Sequence, residues 1–135
     1  MDEFGLKIDD ANLSIELATH AEKFAYEAEQ AIGADLKHAE FSMKVDELYS
    51  MVDREVRARA EADGKKITEK VVENEVKASE QYKKAALHLL KLKAHRDIMK
   101  SRREAWKERG SMLVQMSAMK RAEMESIAFS EMKAA

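Results

Sequence analysis

REVRARAEADGKKITEK, residues 54–70, decides how this chain folds. Gly64 separates two runs of helix formers, and glycine takes the left-handed conformation just past a helix end without steric cost. Thr68 then offers a side-chain oxygen to the first free N–H groups of a new helix. Ile67 and Val72 fall at the N′ and N4 positions of a hydrophobic staple, while Val71 stands where a capping box needs Glu or Gln. The stretch predicts a helical hairpin with a short turn at about 63–68. It also gathers six cations, Arg54, Arg57, Arg59, Lys65, Lys66 and Lys70, more than a turn requires.

Outward from the turn, both arms read as helix. On the N-terminal side, Leu13, Leu17, Ala21, Phe24, Ala28 and Ile32 recur at three- and four-residue spacing, and the stripe resumes with Leu36, Val45, Leu48, Val52 and Val56. Asp9, Asp10 or Asn12 can cap this arm. Residues 1–8 are expected to fray, and the first arm to cover 10–62. Gly33 marks either a bend in one helix or the meeting of two. On the C-terminal side, a seven-residue step from Val71 reaches Ala78, Ala85, Leu92, Met99, Trp106, Leu113, Lys120 and Ile127. Eight of those nine positions are apolar, so a coiled-coil-like second arm is expected over 68–130. Gly110 lies inside it and is expected to bend or divide it. An arm of about 55 residues is on the order of 80 Å long. A 135-residue hairpin cannot cover that length by itself, which implies self-association along Ala85, Leu89, Leu92, Met99, Trp106, Leu113 and Met116.

Composition agrees with one all-α domain. There is no proline, four glycines, 37% charged residues and 6% aromatics. Without cysteine there is no disulfide or thiolate metal site. The acidic N-terminus does not read as a signal peptide. No apolar run approaches the roughly 20 residues that span a bilayer. A soluble cytoplasmic protein with no membrane partner is the expectation. Net charge is only −2, but it is unevenly spread: residues 1–62 hold 7 Lys/Arg against 15 Asp/Glu, whereas 83–109 hold 10 against 3. Such asymmetry suits a polyanion partner or contacts between subunits.

The six cations of the tip have two readings. Some sit near the negative end of a helix dipole and need no other role. Together they can also neutralise several phosphates and release counterions. A second cluster spans 91–109, where Arg102, Arg103, Lys107 and Arg109 can contact nucleic acid, a partner protein or the acidic arm of another subunit. Trp106 reads as a core anchor. No catalytic set emerges: His88 and His95 are two turns apart, His20 and His38 have no matched partner, and no Gly-rich phosphate loop is present. No metal or cofactor is expected, and the nine methionines suit an adaptable helix interface.

Four stretches resemble the UvsY family of phage recombination mediators: AYEAEQ (25–30), VRARAEADGKKITE (56–69), ALHLLKLKAHRDIMKSRREA (86–105) and SRREAWKERGSMLVQMSAMKRAEM (101–124). The resemblance covers about residues 20–125. It implies a phage protein, not an enzyme, that binds single-stranded DNA and acts on DNA covered by single-strand binding protein. It further implies help in loading a RecA-like recombinase and a ring-like homo-oligomer of about six or seven subunits. Arg57 and Arg59 match the family's basic DNA-binding segment. The competing expectation is a helical scaffold protein whose charges serve only self-assembly.

Overall fold

A computed structural model describes residues 4–134. After a short 3-10 turn at Asp10–Asn12 come α1 (Leu13–Ala62), α2 (Glu69–Ala78) and α3 (Glu80–Ala134), and no strand occurs among the described residues. The chain is therefore all-helical. Its contacts divide it into two compact units: an end unit, Met1–Ala31 with Met99–Ala135, and a tip unit, Ile32–Ile98.

In the tip unit, α1 and α3 run antiparallel. His38 meets Arg96 at 3.2 Å, the Phe41 ring lies 4.5 Å edge-on from His88, and Tyr49 lies 5.6 Å edge-on from Tyr82. Partner numbers fall along α3 as they rise along α1. Near the turn, Val52 and Val56 of α1 close against Val72 and Val76 of α2, with Leu48, Tyr49 and Ile67 packed around them. The turn itself is a Schellman motif: the Lys65 N–H reaches Ala60 O at 2.9 Å, the Gly64 N–H reaches Glu61 O at 3.0 Å, and Gly64 has φ +69°. Thr68 Oγ1 then accepts from the Val71 N–H at 3.3 Å and starts α2.

The end unit repeats the antiparallel pairing between the start of α1 and the middle of α3. Here Glu16 meets Arg109, His20 stacks beside Trp106 at 6.0 Å, and Glu27 meets Arg102 at 2.6 Å. Residues 4–8, expected to fray, are held along α3 instead: the Trp106 indole N–H donates to Phe4 O, and the Arg109 guanidinium donates to Leu6 O and Lys7 O. Residues 1–3 of that expectation lie outside the described residues.

The internal layout of both arms differs from the pattern in the sequence. Helix α1 passes through Gly33 without a break, and α3 passes through Gly110. The second arm divides at Ser79 instead. Its ψ of 141° leaves the helical region, its hydroxyl donates to Val76 O at 2.8 Å, and the same oxygen accepts the Tyr82 N–H at 3.3 Å. Serine ends one helix and caps the next because its short side chain competes for backbone groups.

The inward face of α1 is also shifted. Leu13, Phe24, Ala28, Val45, Leu48, Val52 and Val56 of the expected stripe face inward, but Leu17, Ala21, Ile32 and Leu36 lie exposed, and Glu16, His20, Glu27, Ala31, Ala34, His38 and Phe41 turn inward beside them. The α3 seam expected between subunits faces its own chain. Trp106 and Leu113 are buried, and Ala85, Leu89, Leu92, Met99 and Met116 are half-buried within the single chain. The length argument applies only past Ser117, since residues 118–134 are exposed on every side.

Two substitutions test this packing. Leu113 has no exposed surface, so Leu113→Ala should lower unfolding stability by about 2–5 kcal/mol in urea titration. Gly33 sits in an exposed helix interior with nothing within 4 Å of an added Cβ. Gly33→Ala should raise stability by about 0.5–1 kcal/mol, which a higher urea midpoint reports.

Candidate nucleic-acid interface

The six cations of the tip do not form one surface. Arg54 and Arg57 are three residues apart and share a side of α1, whereas Arg59 is turned about 200° from Arg57 by the helical step. Arg57 is engaged within the fold. Its Nε lies 2.7 Å from Asp53 Oδ1 and its Nη2 lies 2.6 Å from Glu69 Oε2, so it ties the end of α1 to the first residue of α2. Hydrogen bonding to Glu69, and then to Asp53, raises the guanidinium pKa further above its ordinary value, and the same bond holds the Glu69 carboxyl below its own. Arg54 donates through Nε to Ser50 O at 3.3 Å. Both Arg57 and Arg54 therefore spend donors on local structure.

Arg59, Lys65 and Lys66 come together on the other side. They line a shallow groove of about 270 Å³ at the turn together with Asp63, Glu75 and the apolar Val56, Ile67 and Val71. Arg59 is in the last turn of α1, beside carbonyls that carry the negative end of the helix dipole. The two lysines follow Gly64, whose left-handed backbone swings them back over that helix end. Lys70 is exposed on α2, outside this groove. The groove thus sets two ammonium groups and one guanidinium beside two carboxylates over apolar side chains, so its surplus of positive charge is small.

The second cluster is dismantled by the fold. Arg109, expected to face a nucleic acid or partner, is 3% exposed. Its Nε donates to Leu6 O at 2.9 Å and its Nη2 to Lys7 O at 3.2 Å and to the Glu16 carboxylate. Its Nη1 lies 3.4 Å from His20 Nδ1, and its guanidinium stacks 4.9 Å over the Trp106 ring. Arg102 is drawn against the buried Glu27 and lies 5.7 Å over the Phe4 ring. Arg103 leans on Glu104 at 3.3 Å, and Lys107 is exposed. A guanidinium taken out of water requires anionic or carbonyl partners, and the chain supplies them internally.

Sequence reasoning missed Glu16, His20 and Glu27 as the partners of these arginines. A signal existed. Arg102, Trp106, Arg109 and Leu113 recur at four, three and four residues, so both arginines belong to the apolar seam. Gly110 also acquires a reason. A Cβ there would lie 2.5 Å from His20 Nε2, so glycine lets α3 come up to the imidazole.

Burial, then Arg109 and Lys23, lower the His20 pKa below its ordinary 6.5, against a smaller opposing effect of Glu16. The neutral ring is therefore favoured by the folded state. Its contribution should be complete above pH 6.5 and decline as pH falls from there through the lowered folded value. Urea midpoints of the wild type across pH 5–8 should show this loss on the acid side, and His20→Gln should flatten it.

Comparison with protein-family models, curated proteins and solved structures finds no match to this chain.

Proposed function

We propose that this chain is a non-enzymatic recombination mediator: an oligomer that binds single-stranded DNA without sequence preference and helps load a RecA-like recombinase onto DNA covered by single-strand binding protein. The observation that carries the reading is the groove at the turn, where Arg59, Lys65 and Lys66 converge. Lys70 on α2 and Arg54 on the other side of α1 lie outside it. Arg57 contributes by fixing the turn rather than by meeting phosphate. The resemblance of residues 56–69 to the basic segment of the UvsY family supplies the choice of single-stranded DNA, and the recombinase, the single-strand binding protein and the bacterial host cytoplasm come with it. No helix among the described residues is long and apolar enough to cross a membrane.

A scaffold protein is the second reading. It is favoured by the fate of Arg57, Arg102 and Arg109, each of which pairs with carboxylates of its own chain. Fluorescence anisotropy with a labelled single-stranded oligonucleotide separates the two. For the mediator, Arg59→Ala/Lys65→Ala/Lys66→Ala should weaken binding roughly tenfold or more at moderate salt. It should also flatten the log affinity against log salt by about 2, near the value for three lost phosphate contacts on a single strand. A wild-type protein with no affinity at low salt, or a triple variant that binds as well as wild type, would select the scaffold.

A further inference from the structure

The tip unit leaves two apolar stripes uncovered. On α1, Ile32, Leu36, Ala39 and Met43 recur at four, three and four residues; Ile32 is 66% exposed, Leu36 57% and Met43 66%. On α3, Leu87, Leu90, Ala94 and Ile98 recur at three, four and four residues; Leu87 is 55% exposed, Leu90 62% and Ile98 50%. Each stripe lies about 150° around its helix from the side that packs within the unit, at the helical step of about 100° per residue. The two stripes therefore occupy opposite edges of the two-helix layer and cannot cover each other within one copy.

Their borders carry opposite charge. Residues 32–47 hold four carboxylates against two lysines, and residues 83–98 hold four exposed lysines, with Arg96 turned inward on His38 and paired with Asp97. Glu40 and Glu47 edge the α1 stripe, and Lys84 and Lys91 edge the α3 stripe; all four are exposed. We infer that a second copy of this chain covers each stripe, the α1 edge of one copy packing antiparallel on the α3 edge of the next. The inference rests on the homo-oligomer of the reading above, not on its DNA.

The register supports this occupant. When the stripes are aligned antiparallel, Ile32 faces Ile98, Leu36 faces Ala94, Ala39 faces Leu90 and Met43 faces Leu87. The same alignment brings Glu40 to Lys91 and Glu47 to Lys84, and handedness puts both pairs on one side of the seam. The offset is nearly that of Phe41 with His88 and Tyr49 with Tyr82 inside the chain. A neighbouring copy is thus added sideways with little shift along the helix axes. The contact joins two different surfaces, so it repeats from copy to copy.

Light scattering on the full chain tests it. Wild type should have the mass of at least three copies. Ile32→Lys/Met43→Lys and Leu87→Lys/Ile98→Lys should each be monomeric, with helical circular dichroism unchanged. Mixed in equal amounts they should give a heterodimer and nothing larger, because each retains the one surface the other lacks. Glu40→Lys/Glu47→Lys should weaken the assembly, and adding Lys84→Glu/Lys91→Glu to the same chain should restore it. These border positions also decide the matter if a stripe variant loses helicity.

A monomeric wild type, a stripe variant of wild-type mass, or a mixture that stays monomeric overturns the inference. So does a charge reversal that is not restored. Anisotropy on the same samples keeps the readings apart. Lost DNA affinity in the groove variant with an unchanged mass supports the tip site alone, and a monomeric wild type that still binds DNA removes the stripes alone.

Discussion

Arg109 is a permanent cation with almost no access to water, and much of the end unit is arranged around that fact. Such a group is tolerated only when its hydrogen bonds are filled by acceptors held in place. Glu16 supplies the opposite charge from α1, and the carbonyls of Leu6 and Lys7 supply neutral acceptors from the segment before it. The requirement helps turn residues 4–8, whose Phe4, Leu6 and Ile8 are themselves half-buried, into an ordered strap. Trp106 reinforces it through Phe4 O, and Gly110 gives the His20 ring room to lie against α3.

The same requirement governs the other arginines that meet carboxylates. A carboxylate within reach turns an arginine into a structural brace, as Asp53 and Glu69 do for Arg57 and as Glu27 does for Arg102. What remains for an outside anion is a smaller set. At the tip it is Arg59 with the two lysines after Gly64, collected by the left-handed turn into one groove. Asp63 and Glu75 line the same groove, so its surplus of positive charge is small.

The apolar residues divide along similar lines. Helix α1 has an inward face that mixes Glu16, His20, Glu27 and His38 with apolar side chains, and between residues 32 and 43 an apolar stripe is turned to solvent. Ala31 and Ala34 give part of the reason, since small side chains let two backbones approach where larger ones would hold them apart. The exposed stripes and the charge imbalance between the arms are then one observation: an apolar edge bordered by acid and an apolar edge bordered by base.

Helix content, the stop at Gly64, the start at Thr68 and the absence of a break-forming proline were legible without any structure, because each depends on residues within one or two turns. The seven-residue step through Trp106 and Leu113 likewise marked a buried seam. It could not say whose surface covers the seam, since periodicity identifies a face and not its partner. The break at Ser79 did not show, because the apolar step continues through Ala78 and Ala85 on either side of it. The polar part of the inward face of α1, Glu16, His20, Glu27 and His38, and the pairing of Arg57, Arg102 and Arg109 were decided only by the tertiary structure. Those depend on which carboxylates and carbonyls arrive from 12 to about 100 residues away, and a charge takes its role from the partner that reaches it.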